Sequence, residues 1–251
     1  MEKIETAADV QKISIIIIAK NEEKYLPQLL ESLAAQSNKQ FEIIVVDSDS
    51  KDKTRQYACA ASQYFPEFKY LKLDSAKGPA YARNQGEAVA SYERLLFMDA
   101  DTMLFPNFID QILKEIQKKQ PDIASCPLRI SEKRLGSNIG AVLLNFFMIY
   151  TKSFYSAAYG ACLLSTKSVH QALQGFREDL AICEDCNYVK RARKEFGFKF
   201  HILSPKFYSS DRRAMTEGAI QVFIKYIKIH IVRMFTGKEY LLGQIKYDYG
   251  D

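Results

Sequence analysis

Short apolar runs alternate with amphipathic segments along the first half of this chain. Runs rich in β-branched residues predict buried strands, and segments whose leucines recur every three or four positions predict helices. The predicted strands are 13–19, 41–46, 68–73 and 94–98, and the predicted helices between them are 22–36, 50–64 and 79–91. Strict alternation of this kind predicts an α/β fold with a mostly parallel, doubly wound sheet and right-handed crossovers.

The second half is less regular. The pattern predicts a helix at 107–119, a strand at 122–128, helices at 163–173 and 185–196 and a strand at 199–203. Between these elements, residues 131–160 are aromatic and apolar without a clean period, so we expect an irregular loop region there that contacts a ligand. No internal repeat or low-complexity tract interrupts the chain, which favours one α/β domain.

Composition and charge limit the function classes. The 251 residues are 47% hydrophobic and 26% charged, as in ordinary globular proteins, and the net charge of +5 is too small to favour nucleic-acid binding by the whole chain. The first twelve residues are polar and do not resemble a secretory signal. Five scattered cysteines predict free thiols in a reducing compartment, and we therefore expect a cytoplasmic protein: Cys59, Cys126, Cys162, Cys183 and Cys186.

Two apolar stretches, 139–150 and 219–235, are too short or too interrupted to span a membrane. On a helix, 219–235 would carry Gln221, Lys225 and Lys228 on one narrow stripe and apolar residues elsewhere. We expect a basic amphipathic helical tail that lies in a membrane interface, with nearby charges at Arg233, Lys238 and Lys246. The alternative is a helix that packs in the core or in a dimer.

The most specific motif is the run 95–102, in which a buried strand ends in Asp99 and Asp101. Open α/β sheets bind ligands at the carboxyl ends of their strands. Two neighbouring aspartates repel each other, and the usual reason for such a pair is a hard cation such as Mg²⁺ or Mn²⁺. A divalent ion of this kind normally accompanies a phosphate.

Two further segments have the chemistry of a nucleotide site. Asp47 follows the strand 41–46 at the expected edge, where a carboxylate suits a base or a ribose. For the following Ser50 and Asp52, helix capping and ligand binding stay equally open. Lys77 and Arg83 flank a helix start and could neutralise a diphosphate, although a solvated helix face is the simpler interpretation of either residue alone.

A fourth segment places Glu178, Glu184 and Asp185 before or at a helix start. Such carboxylates either cap the helix or act as a general base toward a substrate hydroxyl. Cys183 and Cys186 have the spacing of a redox or half-zinc motif, but no second pair exists and the three histidines are dispersed. The sequence therefore argues against a metal or redox role for them.

The order of these four sites, from Ile13 to about Phe207, resembles glycosyltransferase family 2 with its GT-A (Rossmann-like) fold. The resemblance implies a metal-dependent inverting transferase that takes a sugar from a nucleoside diphosphate sugar, with UDP as the default nucleotide. It implies metal ligation by Asp99 and Asp101, Asp101 being the principal ligand. The implied nucleotide-binding residues are Ala19, Asn21, Glu22, Asp47, Lys77, Arg83, Asp99 and Ala100.

The same resemblance implies that three further residues lie on the side of the site that binds the acceptor: Gly160, Ala161 and Glu178. It implies Glu184 and Asp185 as the catalytic pair, with Asp185 as the base, and Arg212 and Arg213 as a clamp on the leaving diphosphate. The acceptor would be a glycan or a lipid-linked molecule of a cell-envelope polysaccharide system. Three positions depart from frequent family residues and weaken a subfamily assignment: Ile18, Lys167 and Asn187.

This interpretation divides the chain into a flexible N-terminus (1–12), a catalytic domain (13–211) and a C-terminal tail (212–251) that is peripheral to the inner face of the cytoplasmic membrane. Within the domain, 13–102 would bind the nucleotide and 103–211 would face the acceptor. The partners would be the donor, the acceptor and the membrane, without nucleic acid. The sequence does not indicate an oligomeric state.

Three other functions compete. The run ending in Asp99 and Asp101 also resembles the nucleophile motif of haloacid dehalogenase-type phosphatases, with Asp99 attacking phosphorus. That family carries its motif on the first strand, and Asp47 has no role in it. A dinucleotide-dependent dehydrogenase lacks support because no Gly-x-Gly-x-x-Gly follows the first strand. A catalytically silent binding domain stays open, although the retained acids argue against it.

Overall fold

The computed structural model describes residues 12–131 and 135–242. The expected flexible N-terminus, apart from its last residue, and the tail beyond residue 242, including Lys246, lie outside the described residues. The strands are β1 (Ile13–Ala19), β2 (Phe41–Asp47), β3 (Phe68–Lys72), β4 (Arg94–Asp99), β5 (Thr102–Met103), β6 (Ile123–Ser125), β7 (Leu128–Ile130), β8 (Cys162–Thr166), β9 (Phe200–Ile202) and β10 (Phe207–Ser209). The α-helices are α1 (Leu26–Ala34), α2 (Thr54–Ala61), α3 (Pro79–Ala88), α4 (Phe108–Lys119), α5 (Leu135–Thr151), α6 (Lys167–Ala172), α7 (Glu184–Glu195), α8 (Arg212–Glu217) and α9 (Ala219–Thr236).

The central sheet has seven strands in the order β3-β2-β1-β4-β8-β6-β9. Strands β3, β2, β1 and β4 are parallel, β8 is antiparallel to both of its neighbours, and β9 is parallel to β6. This architecture confirms the mostly parallel α/β sheet. The chain leaves β1 toward β2 and β3 and then returns to place β4 on the other side, so a ligand crevice is expected at the carboxyl ends of β1 and β4.

Alternate residues of the central strands face two separate cores. Ile13, Ile15 and Ile17 pack with apolar residues of α1 and α4, whereas Ile16 and Phe97 pack with residues of α3, α6 and α7. Burial on both faces explains why these strands appear in the sequence as continuous apolar runs rather than as an alternation.

Helix α3 approaches the sheet closely at Gly86. A Cβ atom at this position would lie 2.3 Å from Cγ2 of Ile16 and 3.0 Å from Cγ2 of Val46. Both neighbours are buried β-branched side chains of the sheet and cannot move aside. Glycine is therefore required here by helix–sheet distance, and the predicted helix keeps its internal glycine for that reason.

Three element predictions are wrong. The expected strand 122–128 breaks at Pro127 into β6 and β7, which belong to different sheets, because proline has no backbone N–H for a ladder. The expected helix 163–173 begins as the buried strand β8, since a short leucine-rich run does not distinguish strand from helix. The expected irregular region 131–160 contains the 17-residue helix α5, whose apolar residues do not follow one stripe.

A small three-stranded sheet, β5-β10-β7, lies beside the end of β4. Its middle strand β10 carries the chain directly to residues 210–213, and the amide of Ser210 donates to the carbonyl of Asp101 (3.0 Å). The predicted boundary between domain and tail at residues 211 and 212 stays a prediction. The first residues of the tail contact residues of the predicted catalytic domain, as described below. No helix within the described ranges is long and apolar enough to cross a membrane.

Candidate active site

The carboxyl ends of β1, β2 and β4 meet at one edge of the central sheet. Ala19 of β1 pairs in register with Asp47 of β2, and Ile18 pairs with Asp99 of β4. Asp99 is thereby delivered to the crevice at the strand-order reversal, and Asp101 follows in the turn after β4. The parallel register explains why acids from separate parts of the sequence converge here.

A buried arginine joins two groups of acids. Arg83 on α3 donates through Nη2 to Oδ1 of Asp99 (2.8 Å) and through Nη1 to Oε1 of Glu184 (2.6 Å), and its side chain is 2% exposed. Burial by itself would lower the pKa of Arg83, but Asp99 and Glu184 more than offset it and raise this pKa. Burial raises the pKa of Glu184, and Arg83 opposes that rise. Arg83 is therefore the positive centre that links β4 to α7.

Asp185 lies one residue further along α7 and is held by backbone donors. Its Oδ2 accepts the amide N–H of Gly160 (2.6 Å), and its Oδ1 accepts the N–H of Cys186 (2.6 Å). A Cβ atom at Gly160 would lie 2.8 Å from Nη2 of Arg83 and 3.1 Å from Oδ2 of Asp185. The absence of a side chain at Gly160 therefore leaves room for Arg83 and Asp185 beside its backbone.

Asp101 is contacted by the segment that follows β10. Ser210 Oγ donates to Oδ2 of Asp101 (2.9 Å), and Nη2 of Arg212 lies 3.7 Å from the same oxygen. Nη1 of Arg212 donates to Oε1 of Glu22 (3.0 Å). Burial, reinforced by the charge of Asp99, raises the pKa of Asp101, and Arg212 opposes this. Arg212 thus holds two of the predicted site acids together.

Glu22 is a further carboxyl of this group with a shifted pKa. Its pKa is raised to about 7, mainly by burial and also by the charge of Asp101, while Arg212 opposes the rise. Its second oxygen, Oε2, is buried and has no hydrogen-bond partner among the residues that the structure describes. Glu22, Asp99 and Asp101 are three carboxylates that contact only two arginines, Arg212 and Arg83, and Arg83 also pairs with Glu184. This donor set fits a hard divalent cation such as Mg²⁺ or Mn²⁺.

These groups open into one cavity of about 520 Å³. Its charged end contains most of the predicted site residues: Ala19, Glu22, Arg83, Asp99, Ala100, Asp101, Gly160, Ala161, Glu184, Asp185, Arg212 and Arg213. Its other end lies between α5 and α9 and is mainly apolar, with Ala141, Leu144, Phe147, Met148, Val222 and Phe223 in the wall. The cavity is therefore polar at one end and apolar at the other.

Four predicted site residues lie outside the wall of this cavity: Asn21, Asp47, Lys77 and Glu178. Asp47 is buried, its Oδ1 accepts the N–H of Ser50 (2.8 Å) and its Oδ2 accepts the hydroxyl of Tyr70 (2.5 Å). Lys77 lies 4.8 Å from the centre of the Tyr81 ring. In this conformation both side chains are engaged within the protein, and nucleotide contact by either one stays a prediction.

Asn21 connects the loops that follow β1 and β2. Its backbone N–H donates to Oγ of Ser50, and its side-chain Oδ1 accepts the backbone N–H of Lys51, both at 2.9 Å. The carboxylate of Asp52 accepts the N–H of Glu23 (2.9 Å). Ser50 and Asp52 therefore brace the two loops, which explains why α1 and α2 begin later than the periodicity indicates.

Glu178 is exposed and accepts a hydrogen bond from Nδ2 of Asn84 (2.8 Å). The same asparagine also bonds to both backbone polar groups of Phe176, so it holds the segment after α6 against α3. A direct acceptor contact by Glu178 stays a prediction.

The sequence did not reveal several residues of the wall. Ser210 follows β10, Tyr226 and His230 belong to α9, and none of them is part of a recognisable local motif. Arg213 donates to the hydroxyl of Tyr226, so the predicted clamp arginine contacts α9. Only a pairing of β10 with β5 and β7 brings this part of the chain to the carboxyl end of β4, and local patterns do not encode that pairing.

Comparison with known proteins identifies the family. The sequence model described as Glycosyl transferase family 2 matches residues 14–183, more than half of the 251 residues. The chain belongs to glycosyltransferase family 2. This membership confirms a transferase and excludes the phosphatase alternative, because the match covers Asp47 as well as the acids after β4.

Two curated relatives illustrate the extent of the match. Glycosyltransferase GlyG of Streptococcus pneumoniae is 29% identical over 111 residues, which cover 44% of this family 2 chain and 37% of GlyG. The poly(ribitol-phosphate) β-N-acetylglucosaminyltransferase TarS of Staphylococcus aureus is 27% identical over 209 residues, which cover 79% of this chain and 35% of TarS. The chain spans little more than a third of the length of these relatives.

Solved structures support the GT-A fold of this glycosyltransferase. TarS in complex with UDP-GlcNAc superimposes with a TM-score of 0.64 at 22% identity, covering 89% of this chain and 67% of that chain. A mannosyltransferase of Pyrobaculum calidifontis in complex with GDP-Man and Mn²⁺ gives a TM-score of 0.65 at 18% identity, covering 86% and 64%. At such identities the likeness establishes the fold, which positions the acids described above.

Proposed function

We propose that this enzyme transfers a sugar with inversion from a nucleoside diphosphate sugar, with UDP as the nucleotide, to a glycan or lipid-linked acceptor. The observation that carries the proposal is the convergence of Asp99, Asp101 and Asp185 on one cavity, in which Arg83 binds Asp99 and Glu184, the neighbour of Asp185. Asp99 and Asp101 would hold Mg²⁺ or Mn²⁺. The UDP-GlcNAc complex of TarS supports the choice of UDP.

The proposed reaction uses Asp185 as the general base. The acceptor hydroxyl gives its proton to Asp185 while its oxygen attacks the anomeric carbon of the donor sugar. The bond from that carbon to the diphosphate oxygen breaks on the opposite face, so the configuration inverts. Arg212 and Arg213 stabilise the negative charge on the departing diphosphate, and the divalent ion, when bound, supplies further positive charge.

Glu184 acts through its neighbour in this proposal. Its carboxylate is bound to the buried guanidinium of Arg83, and the same guanidinium holds Asp99. Glu184 is therefore a positioning residue that fixes Arg83, while the adjacent Asp185 accepts the proton. This division of roles follows from the different partners of the two carboxylates.

A donor screen tests the proposal. UDP, GDP and dTDP sugars are incubated with the enzyme and Mn²⁺, and release of the nucleoside diphosphate is measured with and without a chelator. We expect metal-dependent hydrolysis of UDP sugars that Asp101→Asn lowers by about 10²-fold or more, whereas Glu31→Gln, on the exposed face of α1, leaves it unchanged. Absence of hydrolysis and transfer with every donor would instead indicate a silent binding domain.

Asp185→Asn separates the two acceptor chemistries. If the acceptor is a hydroxyl, the variant loses transfer by about 10²-fold or more while donor binding is retained. Turnover that stays intact on the true acceptor would contradict the base assignment, because an acceptor phosphate is already ionised at neutral pH and needs no base.

The apolar end of the cavity favours the lipid-linked acceptor. It lies between α5 and α9, and the outer sides of both helices expose large apolar side chains, including Val142 at 64%, Tyr150 at 65%, Ile220 at 70% and Phe235 at 79%. An exposed apolar surface of this kind is typical of a contact site for protein or membrane. We propose that α5 and α9 lie on the inner face of the cytoplasmic membrane and admit the acceptor's lipid between them.

Vesicle flotation tests this membrane contact. With anionic phospholipid vesicles we expect the wild-type protein to float, Val142→Ser/Ile220→Ser to lose most of the bound fraction, and the control Tyr64→Ser to behave as wild type, because Tyr64 is exposed on the turn after α2. Equal flotation of all three proteins would contradict the assignment. A concentration-dependent dimer without flotation would instead identify the two helices as a subunit interface.

A further inference from the structure

Two cysteines and a histidine that are far apart in the sequence meet at the start of α7. Cys183 is the N-cap residue of this helix, with a left-handed φ of 61°, and Cys186 follows one turn later. His230 comes from the middle of α9. The nearest ligand atoms of these three residues all lie within 4.8 Å of one another. The catalytic proposal uses none of them.

The surroundings of this Cys-Cys-His cluster match those of a metal site. Both cysteines are buried, and the N–H of Ala158 donates to Sγ of Cys186 (3.5 Å), while the thiol of Cys186 donates to the carbonyl of Ala158 (3.6 Å). The N–H contact would stabilise the thiolate once a metal ion has displaced the thiol proton. Nδ1 of His230 lies 2.9 Å from the hydroxyl of Tyr155, and the rings of Phe147 and Tyr155 flank the imidazole. Fixed orientation by such outer contacts is typical of ligating histidines.

The distances also suit a tetrahedral ion. Zinc binds sulfur at about 2.3 Å and imidazole nitrogen at about 2.0–2.1 Å, so its ligand atoms lie about 3.5–4 Å apart. From their upper bound of 4.8 Å, the three atoms of the cluster need to approach one another by at most about 1.3 Å. Side-chain rotation covers a movement of that size.

Charge around the cluster is compatible with a cation bound by thiolates. Arg233 is buried one turn beyond His230 and is paired with Glu239 through Nη2 (2.8 Å) and Nε (3.1 Å). Glu239 also pairs with the more exposed Lys190 (3.3 Å), so Arg233 is balanced by a carboxylate that it shares. Two thiolates and one divalent ion are neutral together, so binding adds no net charge to this buried region.

We propose that Cys183, Cys186 and His230 bind one thiophilic divalent ion of the zinc class, with a fourth position that faces the cavity. All three residues line the cavity wall, so this position is accessible to water or to an acceptor group. Binding replaces the two thiol protons, which pass to solvent, by two metal–sulfur bonds. The ion would join α9 to the start of α7, directly beside Asp185, and the site is distinct in ligand chemistry from the carboxylates at Asp99 and Asp101.

Cobalt substitution of the full chain tests the site. Reduced, chelator-treated protein is titrated anaerobically with Co²⁺ in excess Mg²⁺, which occupies oxygen-donor sites. We expect a sulfur-to-cobalt charge-transfer band that saturates at about one equivalent per chain and disappears when one equivalent of Zn²⁺ is added. Cys186→Ser and His230→Gln should each lower the band at least about fivefold, and Cys59→Ser, at an exposed cysteine on α2, should keep it.

Alkylation provides a measurement that needs no variant. Iodoacetamide labelling of the native wild-type protein with and without Zn²⁺ is followed by mass spectrometry of the cysteine-containing peptides. We expect Zn²⁺ to slow labelling of Cys183 and Cys186 by about tenfold or more and to leave Cys59 unaffected. The proposal is wrong if wild-type protein gives no sulfur-to-cobalt band, if the band survives in Cys186→Ser, or if Zn²⁺ leaves the labelling of all three cysteines unchanged.

Discussion

The bridge made by Arg83 between Asp99 and Glu184 offers the sharpest test of the site's energetics. Both contacts are short, 2.8 and 2.6 Å, and the guanidinium is almost inaccessible to water. Replacement by methionine, as in Arg83→Met, keeps much of the volume but leaves two carboxylates without their cation. Removal of one partner from a buried ion pair costs about 3–5 kcal/mol. This loss is a large part of the about 5–15 kcal/mol that stabilises a typical domain.

The pH dependence of this variant follows from the same contacts. Burial already raises the pKa of Glu184, and loss of Arg83 removes the charge that opposes the rise. A carboxyl whose pKa is raised in the folded state stabilises the protein at low pH and loses that contribution as the pH rises through the folded pKa. Arg83→Met should therefore lose stability relative to wild type as the pH rises from 5 to 8.

A double-mutant cycle measured by urea unfolding isolates the pair. Glu184→Gln removes the charge that Arg83 neutralises, so Arg83→Met/Glu184→Gln should recover about 1–3 kcal/mol relative to the sum of the single changes. Additivity within about 0.5 kcal/mol would refute the view that the two side chains form one buried unit. Glu31→Gln serves as the exposed control for the effect of removing a carboxylate and should change stability by less than about 0.5 kcal/mol.

Three further outcomes are expected. The pKa of Glu22 is raised to about 7, mainly by burial, so its carboxyl destabilises the fold once it ionises. The free energy of unfolding of wild type, relative to that of Glu22→Gln, should therefore fall by about 3 kcal/mol between pH 4 and pH 8 in urea titrations. Parallel pH profiles of the two proteins would contradict this. Gly86→Ala should cost about 1–3 kcal/mol because the new methyl group meets Ile16, whereas Gly140→Ala, with open space around its Cβ on α5, should stabilise the protein by up to about 1 kcal/mol. Gly160→Ala should lower kcat at least about tenfold and also lower stability, since its Cβ displaces the guanidinium of Arg83 from its buried ion pairs and moves the carboxylate of Asp185. An unchanged kcat would exclude that contact.

The alternating pattern was sufficient for the first half of the fold. β1 has the predicted bounds, and β2, β3 and β4 differ from their predicted bounds by one residue at the carboxyl end. Continuous β-branched runs specify buried parallel strands because both faces of such strands are covered. Helix starts were less accurate, since the polar residues before α1 and α2 bond to each other across two loops instead of extending the helices.

In the second half, predictions of helices, strands and loops were wrong where the structure depends on contacts between residues far apart in the sequence. A leucine-rich run became the strand β8 because it fills the space between β4 and β6, and the aromatic region before it became α5 because α9 covers one side of it. Neither partner is close in sequence. Hydrophobic periodicity indicates which side of a segment is buried, but it does not indicate which distant strand or helix packs against that side.

The sequence by itself determined the four parallel strands of the first half, the acids at the ends of β2 and β4 and the family, because each depends on a local run of residue types at fixed spacing. The tertiary structure decided which of those residues share a site. It placed Arg83 between two acids from distant segments, turned Asp47 toward Ser50 and Tyr70, and carried Arg212 to Glu22. It also brought His230 to Cys183 and Cys186, a cluster that the dispersed histidines gave no reason to expect. The physical reason is that side-chain chemistry is encoded locally, whereas proximity arises from the packing of whole helices and strands.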